Sequence, residues 1–173
     1  SQSLAFAAAA VHSLRNAGLP GEAHETALRL LPRYSALELD AVPDLRHRAN
    51  LFKSALQLSA AQSDLENALS LLRANVPAAE LDSADVSSDL ADVLESQGHY
   101  AQAEPLYARS FAVRERVLGA EHPQTLSSVN NLAGLYTSQG RYGEAEPLYA
   151  RALAARERVL GAEHPQTLSS VNN

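Results

Sequence analysis

The residues with the most chemical potential are four carboxylates, Asp82, Asp85, Asp89 and Asp92, spaced by three, four and three positions. That spacing puts all four on one face of a helix. A row of carboxylates can attract a cationic side chain, hold a metal ion, or simply face water. Calcium suits it poorly, because calcium sites combine carboxylates with loop carbonyls and a regular helix cannot wrap an ion. In the solvated alternative, Asp82 and Asp85 do no more than favour the positive N-terminal end of the helix dipole. The sharper expectation is a face selective for Arg or Lys side chains.

The other reactive residue types point away from catalysis. His122 and His164 take the same place 42 residues apart, beside Pro123 and Pro165, which suits bracing a chain connection better than ligating zinc. Arg109, Arg114, Arg116, Arg151, Arg156 and Arg158, interspersed with Glu115 and Glu157, read as an exposed mixed-charge face. Tyr100, Tyr107, Tyr136, Tyr142 and Tyr149 read as core residues with a wet hydroxyl. There is no glycine-rich phosphate loop, nucleophile elbow or catalytic carboxylate pair with a base, so no enzyme, cofactor or metal is expected.

Composition narrows the class further. The absence of cysteine removes disulfides and thiolate metal sites. A net charge of −6 without a Lys/Arg cluster argues against nucleic acid. The apolar start, residues 3–11, is too short to span a bilayer and no basic leader precedes it, so no membrane association is expected. The compartment stays open, with the cytoplasm favoured. The lack of any Met suggests a fragment or a processed product. Hydrophobic residues at 46% supply a core, while aromatics at 5% and abundant alanine favour close-packed helices over sheet. The expected class is all-α.

What must position these residues is a repeat. LGAEHPQTLSSVNN at 118–131 returns unchanged at 160–173, and the segments that immediately precede the two copies, GHYAQAEPLYARSFAVRERV and GRYGEAEPLYARALAARERV, align in the same 42-residue frame. A period of that length marks helical solenoids or other arrays. Gly98, Gly119 and Gly140 end helices, and Pro123 and Pro165 start them. These signals predict helices to Gln97 (capped by Asp82 or Ser83), over 101–118, from Pro123 to Gly140 and over 143–160, then a truncated helix after Pro165. Leu126, Val129, Leu132, Ala133 and Tyr136 form one apolar stripe. Ala133 and Ala145 allow the closest helix approach, and Tyr142, Leu148, Tyr149 and Leu153 fill the space between units.

Earlier in the chain the pattern is worn. Residues 3–17 predict a helix ending at Gly18, and Pro32 is expected to end its partner early. No glycine marks a turn within 44–75, but the frame maps Ala91, Leu94, Ala103, Tyr107 and Ser110 onto Ala49, Phe52, Ala61, Leu65 and Ala68. That predicts a helix pair, with Ser59 and Ser63 as possible caps; the alternative is one long helix over 45–74. The domain expectation is degenerate helical repeats over 1–76 and clear repeats over 77–173.

The segments NNLAGLY, GRYGEAEPLY and LGAEHP together resemble the tetratricopeptide repeat in its 42-residue form, as found in kinesin light chains and many bacterial proteins. The resemblance is strong over 84–173. It implies a right-handed α-solenoid of antiparallel helix pairs, whose first helices line a concave groove for peptides or protein partners. In this chain it implies groove positions Asp85, Ser88, Asp89, Asp92, Glu95 and Ser96, then Ser127, Asn130, Asn131, Gly134, Thr137 and Ser138, with Asn172 and Asn173 one repeat later. Asparagines there would hydrogen-bond a peptide backbone; Asp89 replaces one in the earlier repeat and makes it acidic, and Gly134 departs from the polar residue often found at its place.

The function expected is a protein- or peptide-binding scaffold, with a basic partner. An alternative is a regulatory or sensor segment of a larger bacterial protein carrying a caspase-like peptidase or signalling ATPase. Self-association through the C-terminal end, where Leu168 and Val171 would be exposed, is a third expectation.

Overall fold

The computed structural model describes residues 2–34, 41–74, 80–161 and 167. The described residues form helices α1 (Gln2–Asn16), α2 (Pro20–Tyr34), α3 (Val42–Ser54), α4 (Leu58–Ala74), α5 (Glu80–Ser96), α6 (Tyr100–Leu118), α7 (Pro123–Ser138) and α8 (Tyr142–Leu160), with no strand among them. The chain divides into two compact units, Ser1–Ala79 and Glu80–Asn173. Within each, consecutive helices pack as pairs: α1 with α2, α3 with α4, α5 with α6 and α7 with α8.

The same backbone device closes all four pairs. Gly18, Leu56, Gly98 and Gly140 have φ of 76°, 58°, 79° and 73°. In each case the next residue donates its N–H to a carbonyl five positions back: Leu19 to Leu14, Gln57 to Phe52, His99 to Leu94 and Arg141 to Tyr136, at 2.8–3.0 Å. This is the Schellman closure, which satisfies carbonyls that the ending helix leaves without partners. Residues 45–74 are therefore a helix pair rather than one long helix. Leucine gave no turn signal because the left-handed region is costly for a side chain with Cβ.

Small residues set the helix spacing. Ala49, Ala91 and Ala133 of the first helices and Ala61, Ala103 and Ala145 of the second are all buried. Leu126, Val129, Leu132 and Leu135 of α7 are buried as well, each contributing roughly 1.5–3 kcal/mol by leaving water. In the second unit, ion pairs reach across repeats: Arg141 to Glu104 (2.7 Å), Arg158 to Glu121 (2.6 Å), and Arg151 to Glu115. Arg141 also pairs with Glu144 at 2.7 Å and lies over the Tyr136 ring at 4.2 Å, bracketing the α7–α8 turn.

Several expectations need correction. The helix containing Pro32 runs on to Tyr34. Helix α5 begins at Glu80, so Asp82 and Ser83 lie inside its first turn instead of capping it. Likewise α4 begins at Leu58, which puts Ser59 and Ser63 within the helix. Tyr142 does not fill an interior gap; it is 67% exposed. The expected helix after Pro165, with Leu168 and Val171, lies outside the described residues apart from Thr167.

Candidate protein-binding face

Helix α5 reads ELDSADVSSDLADVLES and carries six acids, Glu80, Asp82, Asp85, Asp89, Asp92 and Glu95, without one base. The formal charge of the entire chain is −6, so this helix alone accounts for the chain's imbalance. Ala84, Val86, Ser87, Ser88, Leu90, Ala91, Val93 and Leu94 are buried. Beyond the first turn the accessible arc is thus a single stripe: Asp85, Asp89, Asp92 and Glu95 are half-buried and Ser96 exposed, in line with the exposed Asp82.

The stripe is built into the fold from below. Arg114 of α6 is buried, and its guanidinium donates to Asp85 at 2.5 Å and to the Ser128 hydroxyl of α7. A buried Tyr107 sends its hydroxyl to Asp92 at 2.5 Å and to Glu95 at 3.0 Å. Burial, reinforced by the Asp92 and then the Glu95 carboxylates, pushes the Tyr107 phenol far above its ordinary value. It therefore stays protonated and keeps donating. On the far side, Ser138 donates to Glu95 at 3.0 Å and the Asn131 amide to Ser88 at 3.4 Å. These two contacts, each spanning 43 residues, set α7 alongside α5.

The expected positions on α7 divide into two sets. Asn131 and Ser138 join the α5 stripe as described. Ser127 and Thr137 are exposed and turn their hydroxyls back to the carbonyls of Pro123 and Ala133, each at 3.0 Å. The Asn130 side-chain oxygen, in the amide orientation that satisfies both groups, accepts from Arg156 at 2.5 and 3.2 Å. Gly134 is half-buried, and a Cβ there would meet the Tyr149 hydroxyl at 3.6 Å. Asn172 and Asn173 lie outside the described residues.

Arg114 and Arg156 are placed differently from the sequence expectation. Both are buried and do not belong to an exposed mixed-charge face. Burial lowers the Arg156 pKa from the usual arginine value. The signal was available: Arg114 continues the buried stripe Ala103, Tyr107, Ser110 at helical spacing. One repeat on, the frame turns Asp85 into Ser127, and Asn130 meets Arg156 instead. His122 behaves as expected, its Nδ1 accepting from Gln124 N–H at 3.2 Å as the cap of α7. His164 lies outside the described residues.

The tetratricopeptide repeat family model matches residues 82–157 and 126–173, which together exceed half of the chain. The chain belongs to the tetratricopeptide repeat family. A solved structure of a Podosopora anserina putative kinesin light chain with nearly identical TPR-like repeats is similar at a TM-score of 0.71 and 22% identity, over 97% of this chain and 82% of that one. BtubC (BKLC) from P. vanneervenii follows at 0.69 and 20% identity, over 93% of this chain and 67% of that one. MamA gives 0.55 and 17% identity, over 90% and 79%. At such identities the likeness speaks to the fold: all-α, of the tetratricopeptide solenoid class. Comparison with curated proteins returned no match. No helix among the described residues is long and apolar enough to cross a membrane.

Proposed function

We propose that this tetratricopeptide module is a protein-binding scaffold whose α5 and α7 first helices receive a basic peptide segment of a partner protein. A fold of stacked helix pairs supports protein interaction generally; the charge of α5 narrows the partner's chemistry. The observation that carries this reading is that the one accessible arc of α5 bears Asp82, Asp85, Asp89, Asp92 and Glu95, on a helix with no base of its own. Tyr107 and Arg114 hold Asp92, Glu95 and Asp85 in fixed positions, so little side-chain entropy is lost when a ligand docks. Next to them, Asn131 reaches Ser88 through a long 3.4 Å contact, one that a peptide backbone can replace at small cost. Asn172 and Asn173 would extend the polar row by one repeat.

The test is a titration with a lysine- and arginine-containing peptide at two ionic strengths. Asp89→Asn with Asp92→Asn is expected to weaken binding by about tenfold or more at low salt, the size of a lost charge-assisted contact, and to flatten the salt dependence. Unchanged affinity at low salt would sink the proposal.

A further inference from the structure

The first helix pair leaves open a face that is covered at α3 and α7. The equivalent turns at Gly18, Leu56 and Gly140 set Phe6 and Ala10 of α1 in register with Asp44 and Arg48 of α3 and with Ser128 and Leu132 of α7. Arg48, Ser128 and Leu132 are buried, whereas Ala10 is exposed and Phe6 is 83% exposed. The cover at those later positions is the second helix of the pair before. Arg48 donates to the Tyr34 carbonyl of α2 at 3.4 Å, and the Ser128 hydroxyl accepts from Arg114 of α6. Among the described residues no helix precedes α1 to play that part.

The open face carries a knob and a hollow side by side. Between α1 and α2 lies a concavity of about 600 Å³, walled by Ala7, Ala10, Leu30 and Tyr34 with Phe6 at its edge. Arg29 is the one charged residue of its described lining. The Tyr34 hydroxyl donates to the Ser3 carbonyl at 3.1 Å, which leaves the ring as an apolar wall. Terminal units of stacked repeats stay soluble through a polar outer face, and this face is apolar. An exposed apolar patch of this kind marks a surface that another molecule covers.

We infer that the α1–α2 face pairs with the same face of a second copy of this chain, in a two-fold dimer in which Phe6 of each copy enters the hollow of the other. A two-fold interface needs a patch complementary to itself, which a protruding ring beside an apolar hollow supplies. Helix α2 of the second copy then lies over α1 as α2 lies over α3 within one copy, so the dimer continues a packing that the chain already uses. Charge agrees with this arrangement. Glu22, Glu25 and Arg29 of α2 are exposed and follow one another at three- and four-residue steps, which keeps them on one side of the helix. Two α2 helices crossing antiparallel about the axis set the acids of one copy against the base of the other. The interface uses no residue of α5 and does not rest on the peptide-binding reading.

Sedimentation velocity on the whole chain, run from micromolar to high-micromolar concentration, tests the assignment. A monomer–dimer equilibrium that stops at two copies is expected. Phe6→Asp should raise the dimer dissociation constant by roughly thirtyfold or more, the loss of a buried aromatic anchor. Leu56→Asp removes another exposed apolar side chain, outside this face, and should leave the equilibrium unchanged. Both side chains are exposed, and unaltered thermal melts would show that the fold is kept. Because the chain has no cysteine, Ala10→Cys introduces a single thiol, which a short bis-maleimide should join to its counterpart; Leu56→Cys should not be joined. A strict monomer throughout, growth past two copies, Phe6→Asp dimerising as tightly as the unaltered chain, or cross-linking through Leu56→Cys alone would overturn the proposal. Asp89→Asn with Asp92→Asn should leave dimerisation untouched, so failure of the basic-peptide experiment leaves this interface standing, and the reverse also holds.

Discussion

Two regions of the molecule solve the same packing problem with different residues. In the second unit the α5–α6 and α7–α8 turns use Gly98 and Gly140; in the first, the α3–α4 turn uses Leu56 in the same left-handed conformation. The frame also sets Arg48 and Asp64, on α3 and α4, where the later repeats have Leu90 with Leu106 and Leu132 with Leu148. Arg48 and Asp64 are buried and doubly hydrogen-bonded, at 2.8 and 2.7 Å, and Arg48 also reaches the Tyr34 carbonyl at 3.4 Å. The asparate's hydrogen bond and charge raise the Arg48 pKa against the opposing effect of burial. The helix pair thus tolerates a polar pair in place of a leucine pair, provided that both charges are matched. What it does not give up is the turn backbone and the buried alanines.

The largest break in this comparison is expected at the buried pair. Asp64→Ala removes the Asp64 carboxylate from the buried Arg48 pair, which should cost about 3–5 kcal/mol in chemical denaturation. Restoring the later repeats' chemistry with Arg48→Leu and Asp64→Leu together should recover most of that loss. If the double variant is no more stable than Asp64→Ala, the pair is not equivalent to the leucines of the later repeats.

The turns should respond next. A Cβ at Gly98 meets nothing within 4 Å, so Gly98→Leu is a clean test of backbone conformation and should cost about 1–2 kcal/mol. Leu56→Gly should move the other way, stabilising the first unit by roughly 1 kcal/mol, because Leu56 is 73% exposed and gives up little packing. Equal melting temperatures across the pair of variants would mean that the left-handed turn carries no strain.

The smallest effect is expected inside the second unit. Ser110 is fully buried and its hydroxyl has no partner among the described residues, whereas the frame positions Ala68 and Ala152 are buried alanines. Ser110→Ala should stabilise by up to about 1 kcal/mol, measured by the denaturation midpoint. A loss of stability would reveal a hydrogen bond that the Ser110 hydroxyl makes in solution.

Much of the fold was legible in residue types. Glycine marks Gly18, Gly98 and Gly140 because only there is a left-handed turn free of penalty, and the recurring alanines mark where helices touch. Leu56 was not legible as a turn residue, since leucine favours helix interiors and the conformation is imposed by the packing of α3 on α4. The acidic row of α5 was visible as spacing alone. That Arg114 and Tyr107 come from the partner helix to hold it was not, because both were assigned by type, as a surface base and as a core ring with a wet hydroxyl.

By itself, then, the sequence determined the period, the helix pairs and the sign of charge along α5, all of which depend on local spacing and backbone preference. The tertiary structure decided which charges meet. Arg114 reaches Asp85 across 29 residues, Asn131 reaches Ser88 across 43, and Arg48 meets Asp64 across 16. Such pairings arise only when separate helices are brought within hydrogen-bond range, and helical periodicity carries no record of them.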